Sequence, residues 1–193
     1  MTKIKICGLM TLADIAAVNQ AQPDLAGFIF AKGRHQIDLT KALELRKALK
    51  PNIPSVGVFV NAPISEIIKI FNSGVISIVQ LHGQESEATI KALQAEDIPV
   101  IKVFKPTEIN FQTAADYIMV DSGAGNGQFV DWQNLSLKTS KPLIIAGALN
   151  IRNIQAAIKI TQPLLVDLSR GVETSGHKDP QKIMKIVNLV HQL

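Results

Sequence analysis

Short, nearly continuous apolar runs alternate along the whole chain with segments of helical period. The runs occupy positions 4–6, 26–30, 55–60, 76–81, 99–103, 117–120, 143–146 and 164–168. A half-exposed strand alternates apolar and polar residues, whereas a strand covered on both faces does not, so each run reads as a buried parallel strand. The intervening segments have helix ends. Thr11 with Asp14 resembles a capping box, and Ile64, Ile67, Ile68 and Phe71 mark one helical face. Asn150 is placed to cap a helix with the stripe Ile151, Ile154 and Ile158. Asp179-Pro180 opens the last helix, with Ile183, Ile186, Val187 and Val190 facing inward. Segments 104–114 and 131–140 read as short helices. Eight strand–helix units predict an α/β fold of the closed (β/α)₈ type, a TIM barrel, because each parallel pair needs a right-handed crossover and eight strands close. An open doubly wound sheet is the alternative. At 193 residues the barrel is compact against the usual ~250.

Length and composition then bound the function. With 47% hydrophobic residues the chain supports one core, and 1–193 reads as a single domain. One cysteine excludes an internal disulfide, and the N-terminus has no export pattern, so a cytoplasmic protein is expected. No stretch approaches the roughly 20 apolar residues of a membrane span. The net charge of +4 is spread without a basic block, and Tyr117 and Trp132 are the only larger polar-edged aromatics, which argues against nucleic acid. A modest positive surplus suits a small anionic ligand.

Parallel α/β folds place their chemistry outside the carboxyl ends of the strands, and the segments found there divide into two kinds. Gly147-Ala148 after the seventh strand and Ser169-Arg170-Gly171 after the eighth leave backbone N–H groups uncovered, which suits a phosphate. Cys7 ends the first strand and Asp121 the sixth, on opposite sides of a barrel mouth, an arrangement suited to moving a proton off one atom and onto another. Cys7 otherwise reads as a small buried hydrophobe, and Asp121 as a loop cap. The glycine-rich run 122–127 reads as a mobile lid. Arg34 and His35 follow the second strand as partners for a substrate carboxylate. Gln80 and His82 at the fourth strand and Asp167 in the eighth complete the polar candidates.

Lys5-Ile6-Cys7-Gly8, Val56-Gly57-Val58-Phe59-Val60-Asn61, Val79-Gln80-Leu81-His82-Gly83, Val166-Asp167-Leu168-Ser169-Arg170-Gly171-Val172-Glu173 and Gly176-His177-Lys178-Asp179 together resemble the phosphoribosylanthranilate isomerase family. The resemblance runs in order along essentially the whole chain. It implies an Amadori rearrangement in tryptophan biosynthesis, from N-(5-phosphoribosyl)anthranilate to 1-(2-carboxyphenylamino)-1-deoxyribulose 5-phosphate, without metal or cofactor. It further implies Cys7 as general base and Asp121 as general acid: Asp121 protonates the ring oxygen and opens the furanose to a Schiff base, and Cys7 removes the C2 proton. Cys7 is then expected to act partly as thiolate. A small phosphosugar is the expected partner, and a monomer the expected assembly.

The chain departs from the family pattern at several points. Met10 stands where Thr or Ser is common, Gly147-Ala148 where Gly-Gly is, and Ser169-Arg170-Gly171 where Ser-Ser-Gly is. Ala148 disfavours a left-handed backbone that Gly would accept, so a shifted loop is expected there. Arg170 is placed to add a charge to the phosphate or to point to solvent. His35 aligns with the family's carboxylate-binding arginine, with Arg34 one residue before it; permanent charge favours Arg34. Val130-Asp131-Trp132 replaces the usual Phe-Asp-Trp. Two readings compete: a phosphate-binding barrel without catalysis, which needs neither Cys7 nor Asp121, and the sister isomerase of histidine biosynthesis, which carries a carboxylate at the cysteine position. A metal-dependent epimerase on the same fold would bring histidines to the strand ends; the four at 35, 82, 177 and 191 are not so arranged.

Overall fold

The computed structural model describes residues 1–121 and 139–193. The predicted strands form as β1 (Lys3–Cys7), β2 (Leu25–Ile29), β3 (Ser55–Phe59), β4 (Ile78–Leu81), β5 (Val100–Phe104), β6 (Tyr117–Val120), β7 (Leu143–Ile145) and β8 (Leu165–Leu168). They pair in parallel in chain order, and β8 closes on β1 with Lys5 beside Asp167, so the sheet is the predicted closed barrel and not an open one. Helices α1 (Leu12–Ala21), α2 (Leu39–Ala48), α3 (Ile64–Asn72) and α4 (Glu87–Gln94) follow the first four strands. Helices α5 (Ile154–Thr161) and α6 (Pro180–His191) follow β7 and β8.

Two hydrophobic layers result from the period-two alternation of the strands. Outward residues such as Ile4, Ile6, Phe28, Val79 and Val166 pack with the inward faces of the helices, including Ile183, Ile186, Val187 and Val190 of α6. Inward residues Val56, Ile101, Val103, Met119, Ile144, Ala146 and Leu165 fill part of the barrel itself. Thr11 caps α1 through the expected box, its hydroxyl accepting from the Asp14 N–H while the Asp14 carboxylate accepts from the Thr11 N–H. On α3, Ile67 and Ile70 are the buried residues; Ile64, Ile68 and Phe71 pack partly buried at the edge.

The helix assignments need two corrections. Residues 105–116 contain turns and no helix. There the side chains of Asn110 and Thr113 accept from the N–H groups of Gln112 and Ala115, local bonds that compete with a helical ladder. The helix after β7 starts at Ile154, not beside Asn150, because the Asn153 carboxamide accepts from the Asn150 N–H and Asn150 in turn accepts from the Arg152 N–H. Ile151 consequently lies exposed and outside the stripe. The predicted lid 122–127, the Val130-Asp131-Trp132 segment and most of the predicted helix 131–140 lie outside the described residues. No helix among the described residues is long and apolar enough to cross a membrane.

Candidate active site

A cavity of about 480 Å³ opens at the carboxyl ends of the strands. His35, His82, Asp121 and Asp167 line one part of it, and Gly147, Ala148, Ser169, Arg170 and Gly171 line another. Asp121 and the candidates for phosphate binding therefore share one space. A second cavity of about 530 Å³ lies at the opposite end of the barrel, between Lys3, Asp24, Asn52 and Tyr117, and no candidate residue reaches it.

Backbone shape explains the phosphate side. Gly147 has φ +94° and Ala148 φ +51°, so the alanine does take the left-handed conformation it was expected to avoid. The Ala148 carbonyl accepts from both Asn150 and Asn153 side chains, which hold the turn in place. A Cβ on Gly171 would fall 1.9 Å from the Leu149 carbonyl oxygen, so only glycine lets the β8 loop lie against the β7 loop. Ser169 is tied from behind by Lys178, whose ammonium donates to its carbonyl at 3.0 Å. Arg170 is exposed at the start of a single 3₁₀ turn, Arg170–Val172.

Cys7 is the last residue of β1, 4% exposed, and it does not line the cavity. Its sulfur packs against Gly27, where any Cβ would lie 2.6 Å from it. Burial pushes the thiol up, with Asp167 adding to the rise and the nearby Lys5 ammonium opposing it. Desolvation thus favours the neutral thiol, against which the Lys5 charge works.

Lys5, two residues earlier on the same inward face, is completely buried. Its ammonium donates to Asp167 Oδ1 at 2.9 Å and to Gln80 Oε1 at 3.0 Å. Burial opposes its charge, but Asp167 and Cys7 outweigh that and hold its pKa above the ordinary lysine value. Gln80 continues the chain, its carboxamide nitrogen 3.3 Å from His82 Nδ1, and His82 Nε2 lies 3.6 Å from Asp121 Oδ2. A polar connection thus crosses the barrel from β8 through β1 and β4 to the end of β6. Burial lowers the His82 pKa against the pull of Asp121. Desolvation favours the neutral imidazole here also.

On the β2 side, Glu173 gathers two cations and a histidine. Arg34 donates to Oε2, and His35 Nε2 and Lys178 Nζ each lie 2.8 Å from Oε1. Burial opposes the carboxylate's charge, yet Lys178, His35 and Arg34 together hold Glu173 below its ordinary value. His35 faces the cavity with 12% of its side chain exposed, whereas Arg34 has 54% exposed and lies outside the cavity lining. Burial and the Lys178 charge lower the His35 pKa.

Sequence reasoning missed Lys5, Glu173 and Lys178 as parts of the site. A signal for Lys5 is present: Lys3, Lys5 and Cys7 alternate with Ile4 and Ile6, which in a strand covered on both faces puts the lysines on the barrel's inward side. Among the described residues no group of three or more His, Cys, Asp or Glu comes together as a metal site.

A profile described as N-(5'phosphoribosyl)anthranilate (PRA) isomerase matches residues 4–189. The chain belongs to this isomerase family. It is 49% identical over 187 residues to the N-(5'-phosphoribosyl)anthranilate isomerase of Lacticaseibacillus casei (strain BL23), covering 97% of this chain and 94% of that one. The crystal structure of phosphoribosyl anthranilate isomerase from Thermotoga maritima superimposes with a TM-score of 0.89 at 29% identity, over the full length of both chains. A further isomerase structure, in complex with reduced 1-(o-carboxyphenylamino)-1-deoxyribulose 5-phosphate, matches over both full chains with a TM-score of 0.85 at 28% identity. The chain is accordingly an isomerase of tryptophan biosynthesis built on a TIM barrel.

Proposed function

We propose that this isomerase carries out its Amadori rearrangement with Cys7 as general base and Asp121 as general acid, and that N-(5-phosphoribosyl)anthranilate binds with its phosphate on the β7 and β8 loops. The observation that carries the acid and phosphate parts of this reading is the single cavity lined by Asp121, His82 and Asp167 together with Gly147, Ala148, Ser169, Arg170 and Gly171; the base role of Cys7 is supported by its place at the carboxyl end of β1, beside Lys5 and behind that cavity. Phosphate held by the loop N–H groups, with Arg170 at their edge, leaves the ribose over the polar side of the mouth. Asp121 then delivers a proton to the ring oxygen, breaking the C1–O bond and leaving a C1=N iminium. The Cys7 thiolate takes the proton from C2, and the C2–H electron pair forms an enolamine, which tautomerises to the ketone.

The substrate carboxylate goes to the β2 loop. Arg34 supplies the charge, because its guanidinium is always protonated while burial and the Lys178 charge push the His35 pKa down. Among the described residues Arg34 uses only Nη2 toward Glu173 and His35, which leaves donors for a second carboxylate. His35, Gln80, His82 and Asp167 shape the polar wall. The reading takes no metal and no cofactor. It takes 1–193 as one domain in the reducing cytoplasm, where a free thiol persists. It takes the chain as a monomer, testable by light scattering.

Freshly prepared phosphoribosylanthranilate loses its anthranilate-type fluorescence as it is converted, and that loss is the assay. The purified protein is expected to consume it, and Asp121→Asn to do so roughly 10²–10⁴-fold more slowly while remaining folded. Unchanged turnover in folded Asp121→Asn removes Asp121 from the acid role.

A further inference from the structure

The base assigned above sits where burial favours its neutral form, and one neighbour works against that. Lys5 has no exposed surface, yet it carries an ammonium into the barrel interior, where such a charge persists only if its protons are satisfied. Two of its partners are fixed by distance, Asp167 at 2.9 Å and Gln80 at 3.0 Å. Cys7 lies two positions along the same inward face of β1, buried like Lys5, and feels its charge. We propose that Lys5 is a positioning residue for the reaction: anchored by Asp167 and Gln80, its ammonium stabilises the thiolate that Cys7 becomes and fixes the side chains of the mouth through Gln80. This rests on the reading of Cys7 as base.

A buried ion pair that served the fold alone would need no thiol beside it, and the geometry here is asymmetric. The charged groups acting on Cys7 are Lys5 on its own strand, Asp167 from β8 and Lys178 from beyond β8; on the β2 side it meets the uncharged Gly27. Lys5 favours the thiolate and Asp167 opposes it, so the two members of one ion pair have opposite effects on the same sulfur. Asp167 holds Lys5 charged and in place, and Lys5 in turn offsets both Asp167 and burial. Lys5, Cys7 and Gln80 all lie behind the cavity lining, so Lys5 acts through Cys7, the proposed base, and through Gln80, whose carboxamide nitrogen is 3.3 Å from the cavity-lining His82.

The chain has one cysteine and one tyrosine, so the ultraviolet thiolate band reports Cys7 once the Tyr117 phenolate is subtracted with Cys7→Ser as blank. In folded Lys5→Met the thiolate midpoint is expected to rise by roughly one unit or more, as for a lost charge within a few ångströms. In Asp167→Asn, which still accepts from Lys5, it is expected to fall. The double variant, Lys5→Met with Asp167→Asn, is expected to lie above Asp167→Asn alone; this repeats the comparison without an orphaned carboxylate and decides the matter if the single lysine variant does not fold. The kcat/KM profile should shift alkaline with the midpoint in Lys5→Met while KM stays near wild type. A thiolate midpoint that is the same with and without Lys5 overturns the proposal and leaves the base assignment standing. A midpoint that moves without any change in the kcat/KM profile overturns the base assignment, and the positioning role falls with it.

Discussion

Toward the N-terminal ends of the strands the barrel interior is filled by Val56, Ile101, Ile144 and Leu165, whereas toward the carboxyl ends the same inward face carries Lys5, Cys7, Gln80 and Asp167. The two regions meet where the Gln80 carboxamide nitrogen lies 3.5 Å from Met119 Sδ. Aliphatic side chains in the lower layer bury apolar surface and leave no polar atom to satisfy. The upper layer holds two charged groups whose desolvation offsets much of their attraction, so its contribution to stability is small relative to the number of contacts it makes. A barrel needs a packed interior but not a charged one. The fully buried charge of the interior, Lys5 paired with Asp167, lies toward the carboxyl ends, where the chemistry is proposed.

The lower layer is the place to separate stability from turnover. Ile144→Ala should lower unfolding free energy by about 2–5 kcal/mol, the range for truncating a buried aliphatic side chain, while turnover per folded molecule changes little. Denaturant titration with activity on the same preparation checks this, and a parallel loss of turnover would mean the layers are not independent. At the upper end, Gly171→Ala forces its Cβ onto the Leu149 carbonyl, and overpacking of that kind costs about 1–3 kcal/mol. It should weaken substrate and competing inorganic phosphate together, since both need the same loop backbone. Lost substrate affinity with unchanged phosphate inhibition would place the phosphate elsewhere.

Most of this division was legible in the sequence, and the reasons differ by element. The strands were readable because two covered faces leave nearly unbroken apolar runs, and α6 because Asp179-Pro180 fixes its start. Asn150 misled because Asn150 and Asn153 are both able to close the turn, and the choice depends on their reciprocal bonds. Strand-end positions brought His35, His82, Asp121, Asp167 and the phosphate loops to one mouth, since the topology alone sets which ends face it. The Glu173 cluster was not readable, because it joins the β2 loop to a segment 138 residues later that only closure of β8 on β1 brings near.

That cluster supplies a smaller test. If Arg34 carries the charge for the substrate carboxylate, Arg34→Ala raises KM about tenfold, corresponding to the ~1.5–3 kcal/mol of a hydrogen bond to a charged group, and His35→Ala raises it less. The reverse ranking, with KM of the wild type rising as pH passes upward through the histidine range, would assign the carboxylate to His35. The smallest expected effect is on acid stability, at a buried ion pair that shares a cavity with His82 and Asp121. Burial opposes the Glu85 carboxylate, but Lys102 at 2.8 Å and the Asn61 N–H hold its pKa below the ordinary glutamate value. A folded pKa below the unfolded one gives stabilisation that is complete above the unfolded value and is lost as pH falls through the folded one. Thermal midpoints should therefore drop as pH falls below the usual glutamate range, and Glu85→Gln should flatten that decline.

The most direct test of the division is Cys7→Ala, because Cys7 is both the proposed base and a buried residue in contact with Gly27. Turnover of phosphoribosylanthranilate and thermal unfolding are measured on the same preparation. The account predicts a turnover roughly 10²–10⁴-fold below wild type, with an unfolding midpoint near that of the wild type. Near-wild-type turnover in a protein that melts earlier would show that Cys7 belongs to the packing of the barrel and not to its chemistry.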